Sequence, residues 1–447
     1  MRNSYAANTE TEDTMAAAEL DTLPQIRASA PAQDREVLLV DADGLADLRG
    51  EIAYLAEVST GLPFTHLGRL AAGLQQNLAG RQVRAAVVAA SGKQAAARFA
   101  DLLAVLDRGS RRIIDPSRGI FLGQAGEGAP QPHIALLFPG QGSGKPDGDS
   151  ALARRFEAVR DLHQTVPLPA CADHTATAVA QPRIAIGSAA GLRVLSLLGI
   201  EACAAAGHSL GELTALHWAG AMTEAELVAL AFARGQVMAE ASEGGGAMVS
   251  VSAGPEEVEP LLHGEPVVIA CYNGPAQTVI SGPADAVERV REAATASGLR
   301  SVRVPVSHAF HSPAVAPAAA GLAAYLRGQR LRPLARQVVS TLTSDVVQPD
   351  TDLCQLLVRQ LREPVRFSQA VGRLAAQADL FVEVGPGRVL SALAAKTAPD
   401  TPVIPLSTDG SSLSGVLSVA AAAHVLGVPA RHDVLFADRF TTAGAQA

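Results

Sequence analysis

The feature that most constrains the fold is the pentapeptide Gly207-His208-Ser209-Leu210-Gly211, which lies between an apolar strand candidate and a helix candidate. This GxSxG pattern is typical of a nucleophile elbow, a sharp strand-to-helix turn in which a side chain at either glycine position would collide as the chain reverses. Ser209 then lies at the N-terminus of the helix ELTALHWAG, where free amides and the helix dipole favour developing negative charge. For the pentapeptide alone, the alternative interpretation is a simple tight turn.

Strand and helix patterns alternate around this turn, which predicts an α/β fold with a doubly wound, hydrolase-like parallel sheet. The segment IALLFPGQGSG is interpreted as a buried strand that enters a Gly-rich loop. Helical periodicity predicts one helix over ALARRFEAVRDLHQ and another over IAIGSAAGLRVLSLLG. The later elements predicted are the strands QVVSTLTS and DLFVEVG and the amphipathic helix SSLSGVLSVAAAAHVLG.

Changes in pattern along the chain predict four regions. Residues 1–35 are polar and Pro/Ala-rich and are expected to be a flexible lead, and residues 36–128 are expected to be a small α/β domain. From Gly246 onward the order β-α-β-β-α-β is typical of a ferredoxin-like unit, assigned to residues 246–311. The large hydrolase-like subdomain then comprises residues 129–245 and 312–440, including a C-terminal extension.

Composition excludes several function classes. The net charge of −8 and the lack of a basic stripe argue against a nucleic-acid partner. No apolar run is long enough to span a membrane, and the polar, acidic first 20 residues do not resemble a targeting signal, so a cytoplasmic protein is expected. The four cysteines, Cys171, Cys203, Cys271 and Cys354, form no CxxC pair and are interpreted as buried reduced thiols, without a metal site or a disulfide framework.

A serine hydroxyl needs a base, and the histidines of the segment Val306–Ser312 are the candidates. His308 and His311 lie there, just after the ferredoxin-like unit, although two surface histidines on a loop are an equal alternative from spacing alone. His208 is adjacent to Ser209, but its side chain points away across the turn. It is therefore expected to line the pocket.

Two further features have both a structural and a functional interpretation. The Gly-rich segment Phe138–Gly144 lacks the GK[ST] ending of a phosphate loop, so it is either a flexible connection or a donor of a backbone N–H to an oxyanion. Arg234 lies on a helix with substantial apolar burial. Residue chemistry alone favours a structural ion pair there over a clamp on a substrate carboxylate.

Taken together, the motifs resemble the malonyl-CoA:acyl carrier protein transacylase family and the acyltransferase domains of polyketide synthases. They occur in the order typical of that family between about residues 130 and 400. The matching segments are FPGQGS at 138–143, QP at 181–182, GHSLGE at 207–212, ARGQVM at 233–238, YNGPAQTVISG at 272–282, VSHAFHSP at 306–313, RQLREPVRF at 359–367 and VEVGPGRVL at 382–390.

The resemblance implies a role for each matched residue. Ser209 is the acylated nucleophile and His311 the general base, oriented by the backbone carbonyl of Gln360. The oxyanion hole is formed by the backbone N–H groups of Gln141 and Leu210. Arg234 binds the free carboxylate of the malonyl group, which reverses the ion-pair preference, and Asn273 has a supporting role near the site.

The resemblance also implies substrate and context. The tetrad His308–His311 reads HAFH, similar to malonyl-selective members, whereas methylmalonyl-selective relatives commonly carry YASH. Phe310 then fills the volume that an α-methyl group needs, which supplies about 1–3 kcal/mol of discrimination. Residues 36–128 are similar to the linker between ketosynthase and acyltransferase domains. The segment GHSLGELTALHWAGAM is similar to iterative synthases of the enediyne or polyunsaturated fatty acid type.

The function implied is ping-pong transfer of a malonyl group from malonyl-CoA, through a seryl ester, to the phosphopantetheine thiol of an acyl carrier protein in polyketide biosynthesis. No cofactor bound by the domain itself is expected. The expected partners are the carrier protein, the ketosynthase and other domains of a parent synthase. Two alternatives remain, an editing hydrolase for acyl thioesters and a non-catalytic docking module of a synthase. The sequence departs from the family at Gly144, where GQGSG replaces the usual GQGSQ, and in a short stretch between Gly140 and Gln181.

Overall fold

A computed structural model of the chain describes residues 33–124, 131–144, 150–166, 176–240, 245–306, 308–437 and 439. Almost all of the predicted flexible lead lies outside these residues, and so does Cys171. The described residues form three sheets. None of the described helices is both long enough and apolar enough to cross a membrane.

The N-terminal part of the chain forms an antiparallel sheet with the strand order β1-β2-β4-β3. Its strands are β1 (Glu36–Ala42), β2 (Val83–Ala89), β3 (Ile113–Asp115) and β4 (Ile120–Gln124), and its helices are α1 (Leu45–Ser59), α2 (Phe64–Gln76) and α3 (Gly92–Asp107). Almost every residue of β1 and β2 is buried. Such strands need cover on both faces of the sheet.

The central sheet is five-stranded and parallel, with the order β11-β6-β5-β12-β13. Its strands are β5 (Ile134–Phe138), β6 (Ala204–Gly207), β11 (Gln337–Val338), β12 (Leu380–Glu383) and β13 (Val403–Pro405). The helices of this part are α4 (Ala151–Arg155), α5 (Glu157–Thr165), α6 (Thr177–Leu197), α7 (Gly211–Trp218), α8 (Glu224–Glu240), α11 (Ala316–Leu326), α12 (Leu353–Gln360), α13 (Phe367–Ala375), α14 (Val389–Thr397) and α15 (Ser414–Leu426). The α/β class with a parallel sheet is therefore confirmed.

The third sheet is antiparallel, with the order β10-β7-β9-β8, and it has a small apolar core of its own. Its elements are β7 (Gly246–Val251), α9 (Pro255–Val258), β8 (Val268–Gly274), β9 (Gln277–Pro283), α10 (Ala284–Ala296) and β10 (Ser301–Arg303). They follow one another as β-α-β-β-α-β, the succession read from the sequence. The domain boundaries at residues 129, 246 and 312 remain predictions.

Several elements differ from the sequence prediction. The single helix predicted over residues 151–164 is two helices, because Phe156 between them is fully buried in an extended conformation. The predicted strand QVVSTLTS pairs over only two residues, Gln337–Val338. The strand β13 and the helices α13 and α14 were not predicted. Of the described cysteines only Cys271 is buried, while Cys203 and Cys354 are half-buried.

The last helix, α15, is not amphipathic as predicted, since every residue from Val416 to Val425 is buried. It packs against the N-terminal sheet, where a Cβ on Gly123 would come within 2.1 Å of the Val425 carbonyl oxygen. His424 Nε2 lies 2.9 Å from the Val40 carbonyl oxygen. The helix therefore covers one face of the N-terminal sheet while belonging by sequence to the C-terminal extension.

Candidate active site

Ser209 lies at the carboxyl end of β6, in the turn that leads into α7. Its φ is 51°, a left-handed conformation that is strained for any residue other than glycine. Gly207 and Gly211, which flank the serine, leave no room for a side chain. A Cβ on Gly207 would come within 2.1 Å of the Gly211 carbonyl carbon, and one on Gly211 within 2.0 Å of the Phe138 carbonyl oxygen. The turn therefore has the geometry of a nucleophile elbow.

His311 faces this serine from the segment that follows the small antiparallel sheet. Its Nε2 lies 2.9 Å from Ser209 Oγ. Its Nδ1 lies 2.9 Å from the Gln360 carbonyl oxygen and 3.0 Å from that of Glu363. Because carbonyl oxygens only accept, Nδ1 carries the proton, and the lone pair of Nε2 is directed at the serine hydroxyl.

Burial lowers the pKa of His311 to about 3, and the positive charge of Arg234 acts in the same direction. The imidazole is therefore neutral at physiological pH and able to accept a proton. Its φ is 57°, so both members of the hydrogen-bonded pair have positive φ. Strain of this kind persists where the surrounding structure holds a residue in one conformation.

Arg234 lies on α8 and is 1% exposed. Its Nη1 donates to Gln181 Oε1 at 2.9 Å and its Nη2 to Ser209 Oγ at 3.3 Å. Burial lowers the pKa of Arg234 to about 10, which the negative charge of Glu212 opposes. No carboxylate in the described part of the chain lies within ion-pair distance of it, so the ion pair favoured by residue chemistry alone is not formed there.

The candidate oxyanion donors follow neighbouring parallel strands. Gln141 lies three residues after β5 and Leu210 three residues after β6, so both lie at the same edge of the sheet. The loop approaches the turn closely, because a Cβ on Gly140 would come within 2.5 Å of the His208 carbonyl oxygen. Neither backbone N–H has a hydrogen-bond acceptor among the residues described, so both are available to an anion.

The side chain of His208 turns away from the serine hydroxyl, as predicted from the turn geometry. Its Nε2 lies 2.8 Å from Asn273 Oδ1, at the end of β8, and its ring packs against Phe367 at a centroid distance of 5.5 Å. Burial lowers the pKa of His208. The His208–Asn273 contact thus connects the serine turn to the small antiparallel sheet.

The other two residues of the HAFH tetrad are also close together. Phe310 is 6% exposed, and its ring meets that of His308 edge to face at a centroid distance of 5.3 Å. The edge-to-face contact and the burial both favour this position of the phenyl ring.

The sequence prediction missed three side chains of the site. Gln181 anchors Arg234, the carboxamide of Gln360 donates to the Ser209 carbonyl oxygen at 2.9 Å, and Glu212 accepts from that same carboxamide at 2.6 Å. Each lies within a recognised motif, but nothing in a lone Gln or Glu indicates a contact with a distant element. No set of three or more His, Cys, Asp or Glu residues in the described ranges is arranged to hold a metal ion.

Comparison with known proteins identifies relatives of this arrangement. The family model for the acyl transferase domain matches residues 88–430. The chain is 35% identical over 404 residues to a phenolphthiocerol synthesis polyketide synthase type I of Mycobacterium bovis, covering 83% of this chain but 18% of that protein. A synthase of Mycobacterium tuberculosis that is named as inactive matches with the same identity, and the chain spans 24% of its length.

Two solved structures resemble the fold over 91% and 66% of this chain. One is the acyltransferase domain of an iterative polyketide synthase in enediyne biosynthesis, with a TM-score of 0.78 and 36% identity over 91% of this chain and 100% of that one. The other is a malonyl CoA-acyl carrier protein transacylase from Clostridium perfringens, with a TM-score of 0.61 and 30% identity over 66% of this chain and 99% of that one.

Proposed function

The chain belongs to the acyl transferase domain family, and we propose that it transfers a malonyl group from malonyl-CoA, through an ester on Ser209, to the phosphopantetheine thiol of an acyl carrier protein. The observation that carries this proposal is a hydrogen-bonded serine–histidine pair beside a buried guanidinium. Ser209 Oγ lies 2.9 Å from His311 Nε2 and 3.3 Å from Arg234 Nη2.

The guanidinium supports a substrate that carries a carboxylate. A buried charge is costly unless it is paired, and Arg234 has only neutral acceptors among the described residues. A planar guanidinium binds a carboxylate through two parallel hydrogen bonds. A malonyl thioester provides that carboxylate two carbons from the reacting carbonyl, whereas the acyl chains cleared by an editing hydrolase lack it.

In the first half-reaction, the Ser209 hydroxyl attacks the thioester carbonyl of malonyl-CoA while His311 Nε2 takes its proton. The amides of Gln141 and Leu210 stabilise the oxyanion of the tetrahedral intermediate. The intermediate collapses with cleavage of the C–S bond, and the imidazolium returns its proton to the departing thiolate as CoA leaves. Ser209 then carries the malonyl group as an oxygen ester.

In the second half-reaction, the thiol of the carrier-bound phosphopantetheine attacks this ester. His311 accepts the thiol proton and returns it to Ser209 Oγ when the ester C–O bond breaks. The products are the malonyl thioester of the carrier protein and the free hydroxyl. These steps use the side chains and amides named here together with the thiols of CoA and of the carrier-bound phosphopantetheine.

We assign substrate size to the HAFH tetrad. In this assignment Phe310, with His308 against its ring, occupies the space beside the malonyl α-carbon, so an added methyl group would clash with a buried ring. A steric difference of one methyl group corresponds to about 1–3 kcal/mol of selectivity. His208 and Asn273 hold the turn that carries the nucleophile.

The chain spans less than a quarter of the curated relatives it matches, so its working context is part of the proposal. We infer that it acts within a multidomain polyketide synthase, beside a ketosynthase and an acyl carrier protein domain. The α/β region at residues 36–128 is then the linker that joins it to the ketosynthase. The likeness to the enediyne-type acyltransferase domain favours an iterative synthase.

Intact-protein mass spectrometry tests this function directly. The protein is mixed separately with malonyl-, methylmalonyl- and acetyl-CoA, and the mass increment and its rate are measured. We expect the malonyl increment to dominate, and we expect Ser209→Ala to abolish it, since no other residue is proposed to carry the group. Absence of any adduct on the wild-type protein would instead support a non-catalytic docking module.

A further inference from the structure

One buried amide side chain, that of Gln360, joins three parts of the site, and the reaction steps above do not use it. Gln360 is 2% exposed and ends α12. Its Oε1 accepts from Arg234 Nη2 at 3.4 Å. Its Nε2 donates to the Ser209 carbonyl oxygen at 2.9 Å and to Glu212 Oε2 at 2.6 Å. The carboxamide therefore separates a guanidinium on one side from a carboxylate on the other.

Glu212 is a fully buried carboxylate in the first turn of α7, three residues after the nucleophile. Its backbone N–H donates to the Ser209 carbonyl oxygen at 2.9 Å, so it is fixed relative to the turn. The Thr341 hydroxyl lies 3.4 Å from the same carboxylate oxygen that Gln360 contacts. Burial raises the pKa of Glu212, whereas hydrogen bonds from Ser340, Gln360 and Thr341 favour its charged form and oppose this rise. The negative charge of Glu212 in turn opposes the lowering of the pKa of Arg234 by burial. The two buried charges thus compensate each other across one amide.

The two charges fix which way the amide faces. A carboxamide has one accepting end and one donating end. In the observed orientation the oxygen faces the guanidinium and the nitrogen faces the carboxylate. The reverse orientation would set two donors against each other at Arg234 and two acceptors against each other at Glu212. The side chain is therefore held in one orientation without any contact to substrate.

We propose that the Gln360 side chain is a positioning residue that determines specificity: it keeps the Glu212 carboxylate one amide away from Arg234, so that the guanidinium is compensated without being occupied. This inference rests on the proposed carboxylate-binding role of Arg234. A carboxylate in direct contact would form a bidentate pair with Arg234 and compete with the substrate. With no buried carboxylate nearby, the isolated cation would be costly to bury.

The substitution Gln360→Glu moves the negative charge without adding one. The new carboxyl group would lie beside Glu212, and two adjacent buried carboxylates share a single proton. That proton stays on Glu212, whose O–H donates to the new carboxylate, and the negative charge comes to lie against Arg234. The side chains are nearly equal in size, and the backbone carbonyl that orients His311 is retained.

Malonyl and acetyl loading of Ser209 are then compared by intact-protein mass spectrometry. For Gln360→Glu we expect malonyl loading to fall by about 100-fold or more, as when a charged ligand group loses its buried partner. Acetyl loading should fall much less, because an acetyl group makes no use of the guanidinium. An unchanged ratio of malonyl to acetyl loading would overturn the proposal.

Two control substitutions isolate the position of the charge. Gln355→Glu makes the same chemical change at an exposed position of the same helix, and the ratio of malonyl to acetyl loading should not change. Glu212→Gln removes the charge and keeps an amide that can accept from Gln360, so the ratio should not fall. A fall in the ratio as large as that of Gln360→Glu in either control would contradict the spacer role.

A binding measurement separates this inference from the proposed function. In a Ser209→Ala background, calorimetry with malonyl-CoA and acetyl-CoA reports on the guanidinium without any chemistry. We expect Gln360→Glu to remove the preference for malonyl-CoA. The wild-type protein could form no adduct while the Ser209→Ala protein still prefers malonyl-CoA and Gln360→Glu removes that preference. This result would refute the transferase function and support the proposed role of Gln360. Equal binding of both thioesters before the substitution would refute the spacer.

Discussion

Two regions of the molecule each bury an arginine, and the two differ in their partners. Arg155, at the end of α4, and Arg234, on α8, are both 1% exposed. Arg155 donates from Nη2 to three backbone carbonyl oxygens between residues 434 and 437, at 3.0–3.4 Å, and its guanidinium lies 5.4 Å from the centre of the Phe156 ring. Arg234 donates to two glutamine side chains and the nucleophile.

Under the proposed function, the difference distinguishes a structural arginine, Arg155, from a substrate-binding arginine, Arg234. Backbone carbonyls cannot rotate away, so Arg155 is committed to holding the C-terminal segment. Burial raises the pKa of the Glu36 carboxyl group, and the positive charges of Arg439 and Arg155 oppose this rise. The acceptors around Arg234 are neutral side chains at the edge of the parallel sheet. A new anion can therefore replace its weakest contacts. Burial alone does not separate the two roles, whereas the nature of the acceptors does.

The largest expected effect is on the structural arginine. Arg155→Ala should lower the free energy of unfolding by about 3–5 kcal/mol, as for loss of one member of a buried charged group. Three buried carbonyl oxygens would lose their donor at the same time. Urea denaturation measures this change, and malonyl loading per folded molecule should stay close to wild type. If Arg155→Ala lost malonyl loading without a loss of stability, the structural role assigned to Arg155 would be wrong.

Arg234, the proposed substrate-binding arginine, should show a loss of loading that is specific to the malonyl group. Arg234→Ala should slow malonyl loading by an amount corresponding to about 2–5 kcal/mol, because the substrate carboxylate loses its buried partner. Acetyl loading should be much less affected. The free energy of unfolding should also fall, because removing the guanidinium leaves the buried Glu212 carboxylate without its compensating charge, so loading is measured per folded molecule. Equal loss of malonyl and acetyl loading would refute the clamp role.

The smallest expected effect is a difference in pH dependence: stability should fall at acidic pH, whereas malonyl loading should not. Burial lowers the pKa of His424, on α15, from 6.5 to about 4. The unfolded state therefore binds more protons between these values, so the stability present above pH 6.5 is lost as the pH falls toward 4. From pH 7 to pH 5 this amounts to about 2 kcal/mol. His432, whose ring lies 5.6 Å from that of His424, also has a pKa lowered by burial.

Over the same interval the catalytic base should stay neutral, because its pKa is about 3. Malonyl loading per folded molecule is thus expected to be retained at pH 5 while the unfolding midpoint in urea falls. His424→Gln should flatten the pH dependence of the unfolding midpoint, and His263→Gln, at an exposed position, should not. If malonyl loading fell at pH 5 while the unfolding midpoint in urea stayed unchanged, this prediction would be wrong.

Sequence reasoning reached the parallel sheet and its connections because they depend on local pattern. Strands such as β5 and β12 are short runs of buried residues next to helical periodicity. It failed where a neighbour outside the local segment decides the outcome. Phe156 interrupts a continuous helical pattern because its ring is buried in the core. The helix α15 is buried on all sides because it packs against the N-terminal sheet.

The same distinction between local pattern and distant neighbours applies to the candidate site. The position of Ser209 follows from five consecutive residues, since the two glycines determine the turn and the turn determines which side chain protrudes. The amino-acid sequence by itself therefore determined the sharp turn and the exposed serine that we propose as the nucleophile. Family resemblance added His311 and Arg234, but it assigned Gln360 a backbone contact only.

The tertiary structure alone decided what surrounds the nucleophile. Gln181, Arg234, His311 and Gln360 come from four segments, and hydrogen bonds of 2.9–3.4 Å connect them to Ser209 or to each other. Groups from distant segments decide whether a buried arginine binds backbone carbonyl oxygens, as Arg155 does, or neutral side chains that a carboxylate can replace, as proposed for Arg234. Side-chain direction and burial arise only when the elements pack, so no local spacing encodes them.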